Sequence, residues 1–116
     1  MDNIIIYNTD DGKASVKLYA NDGTVWMPQA QMAELFGKDR SVITKHIKNI
    51  FAEGEVRQEG NVHFLHITNA SKRTAFYSLD VILAVGFRVH SPRGTQFRRW
   101  ANSTLKEYLQ KGFVLD

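Results

Sequence analysis

A single glycine, Gly37, separates two runs of apolar residues that each repeat at helical spacing, and no other feature constrains this chain as much. Before it, Met32, Ala33, Leu35 and Phe36 form a stripe, and Pro28 suits a first helical position, where its missing N–H is not needed. After it, Asp39 can cap a second helix whose apolar face is Val42, Ile43, His46, Ile47, Ile50 and Phe51. Helix pairs joined by so tight a turn need a small residue where they cross, a residue tolerant of the turn four positions later, and apolar anchors at set offsets on the second helix. Ala33, Gly37, Ile43 and Ile47 supply these, which predicts a helix-turn-helix at about residues 28–51. Lys38 departs from the pattern, since the residue after the glycine is usually aliphatic; a lysine stem can lie over apolar surface instead.

The other face of the second helix carries Arg40, Ser41, Thr44, Lys45 and Lys48. Guanidinium and ammonium groups donate to guanine edges or phosphates, hydroxyls bond bases or phosphates, and a helix N-terminus favours phosphate. The competing interpretation is an ordinary solvated helix face. The spacing of Ala33, Gly37 and Ile43 favours the first, and the charge is localised to match: residues 1–37 carry two lysines against five acids, whereas Lys38 to Lys48 holds four cations against Asp39 alone. A second basic stretch runs from Arg88 to Lys111, with six cations against Glu107, and includes Arg93, Arg98 and Arg99 as candidate phosphate contacts. Net charge is +3.

Elsewhere the pattern is that of strands and short helices. Ile4 to Tyr7, then Ala14, Val16, Leu18 and Ala20 at period two, then Thr24 to Trp26 predict a three-stranded antiparallel meander, with turns at Asp10-Asp11-Gly12 and Asn21-Asp22-Gly23. Residues 62–78 read as a hairpin, a candidate wing with Lys72 and Arg73 at its tip. Asp80 is placed to cap a short apolar helix from Val81 to Val85 that Gly86 stops. Ser91-Pro92 opens a last helix over about residues 92–111, with Phe97, Trp100, Ala101, Leu105, Tyr108 and Leu109 inward. The expected fold is therefore α+β, one domain over residues 1–116, with a small antiparallel sheet, a helix-turn-helix, a wing and C-terminal helices.

Catalytic and metal readings fare poorly. The chain has no cysteine, and His63 and His66 stand three apart on a strand, so they point to opposite faces. His46 falls on the apolar stripe and reads as a packed core histidine. No phosphate-binding glycine loop, nucleophile elbow or zinc-protease motif occurs, so no enzymatic activity, cofactor or metal is expected. Nor is there an apolar span or a secretory signal, which leads to an expectation of a cytoplasmic protein without a membrane partner.

Three segments, Trp26 to Phe36, His46 to Phe51 and Arg93 to Ala101, resemble the virulence-associated RhuM family of bacteria. That resemblance implies kinship with phage antirepressor N-terminal domains of the BRO-N and KilA-N type, and hence DNA binding and regulation. It also implies a longer protein of which these residues are the N-terminal part. The expected function is that of the DNA-binding domain of a bacterial or phage-derived regulator, engaging double-stranded DNA as a homodimer through the helix at 40–51. Two alternatives stand beside it: a protein-interaction or dimerisation module of antirepressor type, with a protein partner engaged beyond Asp116, and an accessory domain of a Fic-containing enzyme.

Overall fold

The computed structural model describes residues 3–66 and 73–112. The period-two segments form β1 (Asn3–Asn8), β2 (Ser15–Asn21) and β3 (Thr24–Pro28), the predicted meander. Pro28 closes β3 rather than opening a helix, and α1 (Gln29–Phe36) begins one residue later. A three-residue turn leads to α2 (Arg40–Ala52), which Asp39 caps by accepting a hydrogen bond from the Ser41 N–H at 3.0 Å. After an irregular stretch come β4 (Val62–His66), β5 (Arg73–Ser78), α3 (Leu79–Val89), α4 (Pro92–Trp100), a π-helical turn at Ala101–Leu105, and α5 (Lys106–Gly112).

The hairpin expected as a separate wing belongs to the main sheet. Strand β5 pairs with β3 through Trp26↔Ser78, Met27↔Tyr77 and Pro28↔Phe76, so the meander and the hairpin form one antiparallel sheet in the order β1-β2-β3-β5-β4. Alternation then sorts the side chains. Tyr7, Val16, Leu18, Val25 and Met27 join Leu35, Phe36, Ile43, Ile47, Ile50, Ile82, Phe97 and Leu105 in one core between sheet and helices. The other face buries a smaller cluster, in which Tyr19 meets Phe76 edge-on at 5.3 Å and Trp26 lies 4.1 Å from the His63 ring. The Trp26 indole N–H is satisfied there by the Asn21 carbonyl at 3.1 Å. The protein is a single α+β domain.

Gly86 does not stop α3. It lies buried inside the helix, where a Cβ would come within 3.1 Å of the Phe36 ring, and the helix runs on to Val89 before His90 ends it in the left-handed region at φ 48°. Glycine here lets α1 and α4 approach α3, a packing role that resembles a terminator in sequence. The start of α3 also moves: Ser78, not Asp80, is the N-cap residue, and its hydroxyl donates to Asn61 Oδ1 at 2.7 Å. Ser91 caps α4 as expected, accepting from the Gly94 N–H at 3.2 Å.

The last helical stretch follows the predicted stripe through Phe97, Ala101 and Leu105, which are buried. Tyr7 of β1 packs against Phe97 at 5.3 Å and Trp100 at 4.7 Å, so the C-terminal helices are locked to the first strand. Tyr108, expected inside, is 49% exposed. The π-turn accommodates an extra residue per turn and shifts the phase of the helix beyond it, so Leu109 continues the stripe and Tyr108 faces solvent.

Candidate nucleic-acid interface

The geometry of the α1–α2 pair rests on Gly37, at φ 63°, ψ 40°. Glycine adopts that left-handed conformation at the least steric cost, and it lets the Gly37 and Lys38 N–H groups both bond to the Ala33 carbonyl. Gly37 has a second reason to lack a side chain, since a Cβ there would lie 3.1 Å from Arg93 Nη1. The Arg93 guanidinium sits beneath the turn, donating to the Glu34 carbonyl at 2.9 Å and, on its other side, to Asp11 in the β1–β2 turn. Its side chain is only 18% exposed. Arg93 therefore ties the C-terminus of α1 to the sheet, a favourable place for a cation on helix-dipole grounds, and its donors are taken up inside the protein.

Asp11 is correspondingly well bound. Its carboxylate accepts from the Thr9 hydroxyl at 2.6 Å, from the Lys13 N–H at 2.9 Å and from Arg93, which together lower its pKa to about 2, the Thr9 bond contributing most. A carboxylate whose folded pKa is depressed adds stability above its unfolded value near 3.9 and loses it as pH falls through the folded value. Asp11→Asn is thus expected to melt below wild type at pH 7, with the gap closing as pH falls from about 4 toward about 2. Thermal melts of the two proteins across that range test this; a gap independent of pH would remove Asp11 from the account.

On α2 the burial follows the predicted stripe only in part. Ile43, Ile47 and Ile50 are buried, but Val42 is 38% exposed and His46 is half-buried. Val42 and His46 sit on the flank of α2 that borders α3, where they line a groove with Lys45, Asn49, Phe87 and His90 instead of entering the core. Partial burial, followed by the charge of nearby Arg88, lowers the His46 pKa and favours its neutral form.

Arg40, Ser41, Lys45 and Lys48 are exposed. Ser41, Lys45 and Lys48 stand four and three residues apart and so stack along one side of the helix. Among the described residues, none of Arg40, Lys45 and Lys48 makes an ion pair. The two hydroxyls are engaged locally. Ser41 bonds to Asp39 in the cap, and Thr44, half-buried, accepts from Gln29 Nε2 and donates to the Arg40 carbonyl at 3.0 Å, joining α2 to α1.

The remaining predicted cations lie elsewhere. Arg73 opens β5 with its guanidinium 5.4 Å over the Phe64 ring, and Lys72 lies outside the described residues. Arg98 sits 5.1 Å over the Phe87 ring and lines a groove of mixed charge with Arg57, Glu55, Glu59 and Asp80. Arg99 is exposed on α4. Arg88 is bound at 2.8 Å by both Glu53 and Glu55, which removes it from the basic stretch and pins the loop after α2 to α3.

Two exposed lysines that the sequence did not offer as contacts lie at the turn. Lys13, from the β1–β2 turn, and Lys38 line one depression with Glu34, Gly37 and Arg93, at the turn that leads into α2. Nothing local to Lys13 signals this, because the placing of the β1–β2 turn beside α1 is set by the packing of the sheet on that helix.

A single α+β domain that sets one basic, solvent-facing helix against a tightly turned partner is the class of protein defined by this geometry. The sequence matches the profile of the Virulence protein RhuM family over residues 49–116, more than half of the chain, and the protein belongs to that family. The matched part runs from the end of α2 through α5 and includes Arg93 to Ala101, while α1 and most of α2 precede it. No curated protein and no solved structure matches the chain.

Proposed function

We propose that this protein is the DNA-binding domain of a bacterial or phage-derived regulator, that α2 enters the major groove, and that the domain has no catalytic activity of its own. The observation that carries this is the solvent face of α2, where Arg40, Lys45 and Lys48 are exposed without an acidic partner among the described residues. A helix of 13 residues is about 20 Å long and fits a major groove about 12 Å wide. Arg40 and Lys45 are then the base-reading side chains, with Lys48, Lys38 and Lys13 neutralising phosphates on either side. Ser41 and Thr44 act indirectly, by holding the cap and the α1–α2 crossing. Arg73, Arg98 and Arg99 are secondary contacts at most in this arrangement, and Arg93 supports the turn. A cytoplasmic location goes with this reading.

Selection of bound duplexes from a random pool at near-physiological salt tests it. Enrichment of one motif, with affinity that falls steeply as salt rises, is the expected result. Recovery of a random pool at all salt concentrations would defeat it. One observation favours a second reading, a protein-docking module of antirepressor type: Phe87 is 60% exposed at the edge of the α2–α3 groove, beside Val42. Binding to a protein partner through that groove would persist at high salt, which separates the two readings.

The Lys13 assignment gives a further expected result. Lys13→Ala with Lys38→Ala should weaken binding about equally on selected and scrambled duplexes and reduce the salt slope by roughly two. An unchanged slope would return both lysines to ordinary surface.

A further inference from the structure

We infer that the outer edge of β1 is a self-association surface, through which two copies of this chain join their sheets about a two-fold axis. Among the described residues β1 pairs only with β2, in an unbroken register from Asn3↔Ala20 to Asn8↔Ser15, so its other edge presents a row of backbone donors and acceptors. Natural edge strands are commonly guarded by charge, proline or a bulge, and this one, Asn-Ile-Ile-Ile-Tyr-Asn, has none of them. Ile4 and Ile6, 47% and 50% exposed, lie on the same face of the strand.

The occupant is a second copy because the strand complements itself. An antiparallel pair must keep each face with its like, which requires a register such as Ile5 opposite Ile5. That register sets Ile4 of one copy opposite Ile6 of the other, twice by symmetry, so four exposed isoleucines cover one another and no charge meets another across the seam. A seam of two six-residue strands is small beside a standard interface, so the dimer is weak and concentration-dependent. This inference stands on the sheet edge and does not depend on how α2 is used.

Sedimentation velocity of the 116-residue chain without DNA, from about 10 μM to about 1 mM, should show a monomer–dimer equilibrium in this weak-affinity range. Ile4→Lys alone and Ile6→Glu alone should each weaken it at least about tenfold, by placing a charge against an isoleucine in both halves of the seam. Mixing the two variants should restore association, because one seam pair becomes lysine against glutamate and the other remains isoleucine against isoleucine. Unchanged circular dichroism and melting temperature confirm that these exposed substitutions leave the fold intact. A wild-type chain that stays monomeric throughout overturns the proposal and leaves the edge to a different strand. A dimer that survives both variants, or variants that do not recover on mixing, overturns it too by locating association elsewhere.

Discussion

Gly94→Ala is expected to lower the melting temperature by about 8 °C, although alanine is the better helix former. A Cβ at this position would lie 2.5 Å from the Gly86 carbonyl oxygen and 3.3 Å from its carbon, both backbone atoms of α3. Overpacking of this kind costs typically about 1–3 kcal/mol, and backbone against backbone belongs at the top of that range. The helix-propensity gain from replacing glycine returns at most about 1 kcal/mol. The net loss of about 2 kcal/mol corresponds to about 4 °C per kcal/mol in a domain of this size. Gly86→Ala should cost less, because the atoms it meets belong to the Phe36 ring, which can turn aside where a backbone carbonyl cannot. Melting of both variants decides the matter, and a Gly94→Ala protein as stable as wild type would mean that α3 and α4 can separate freely.

Ile47→Ala should be the other large effect, and its contrast with Arg40→Ala and Lys45→Ala divides the two faces of α2. Ile47 is 5% exposed and packs in the main core, so truncation leaves a void and costs roughly 2–5 kcal/mol of folding stability. Arg40 and Lys45 are exposed and support no packing, so their truncation should leave the melting temperature within about a degree or two of wild type. On a selected duplex each should cost roughly 1–3 kcal/mol of discrimination, a factor of about 5 to 150 against a scrambled duplex, if α2 reads bases. Thermal melts paired with binding curves separate the outcomes. Wild-type discrimination in both surface variants would sink the assignment of α2 as the reading helix while leaving the fold untouched.

The sequence made some of this legible and not the rest, for identifiable reasons. Gly37 and the buried Ile43, Ile47 and Ile50 were readable because helix periodicity and a left-handed cap are local properties, satisfied within one or two turns. Asp39 and Ser91 were readable as caps for the same reason. Val42 and His46 misled because the stripe on α2 is wider in sequence than the surface that α1 and α3 cover. Among the candidate contacts, Arg93, Ser41 and Thr44 have the right chemistry for phosphate or base, yet each finds a partner within the protein, and that occupancy is set by the fold and not by the residue type.

Taken alone, the sequence determined the type of most segments, which side of most of them is buried, and the turns at Gly12, Gly23 and Gly37, since each follows from side-chain periodicity and backbone preference over a few residues. Tertiary structure alone decided three things. It joined the hairpin to the meander through the β3–β5 pairing, it turned Gly86 from an apparent terminator into the crossing point with Gly94, and it brought Arg93 from α4 beneath the turn at Gly37. All three are contacts between residues distant along the chain, where the partner is chosen by the packing of whole elements against one another. No local preference encodes that choice, because a glycine, an arginine or a β-branched strand offers the same chemistry to every partner until the fold selects one.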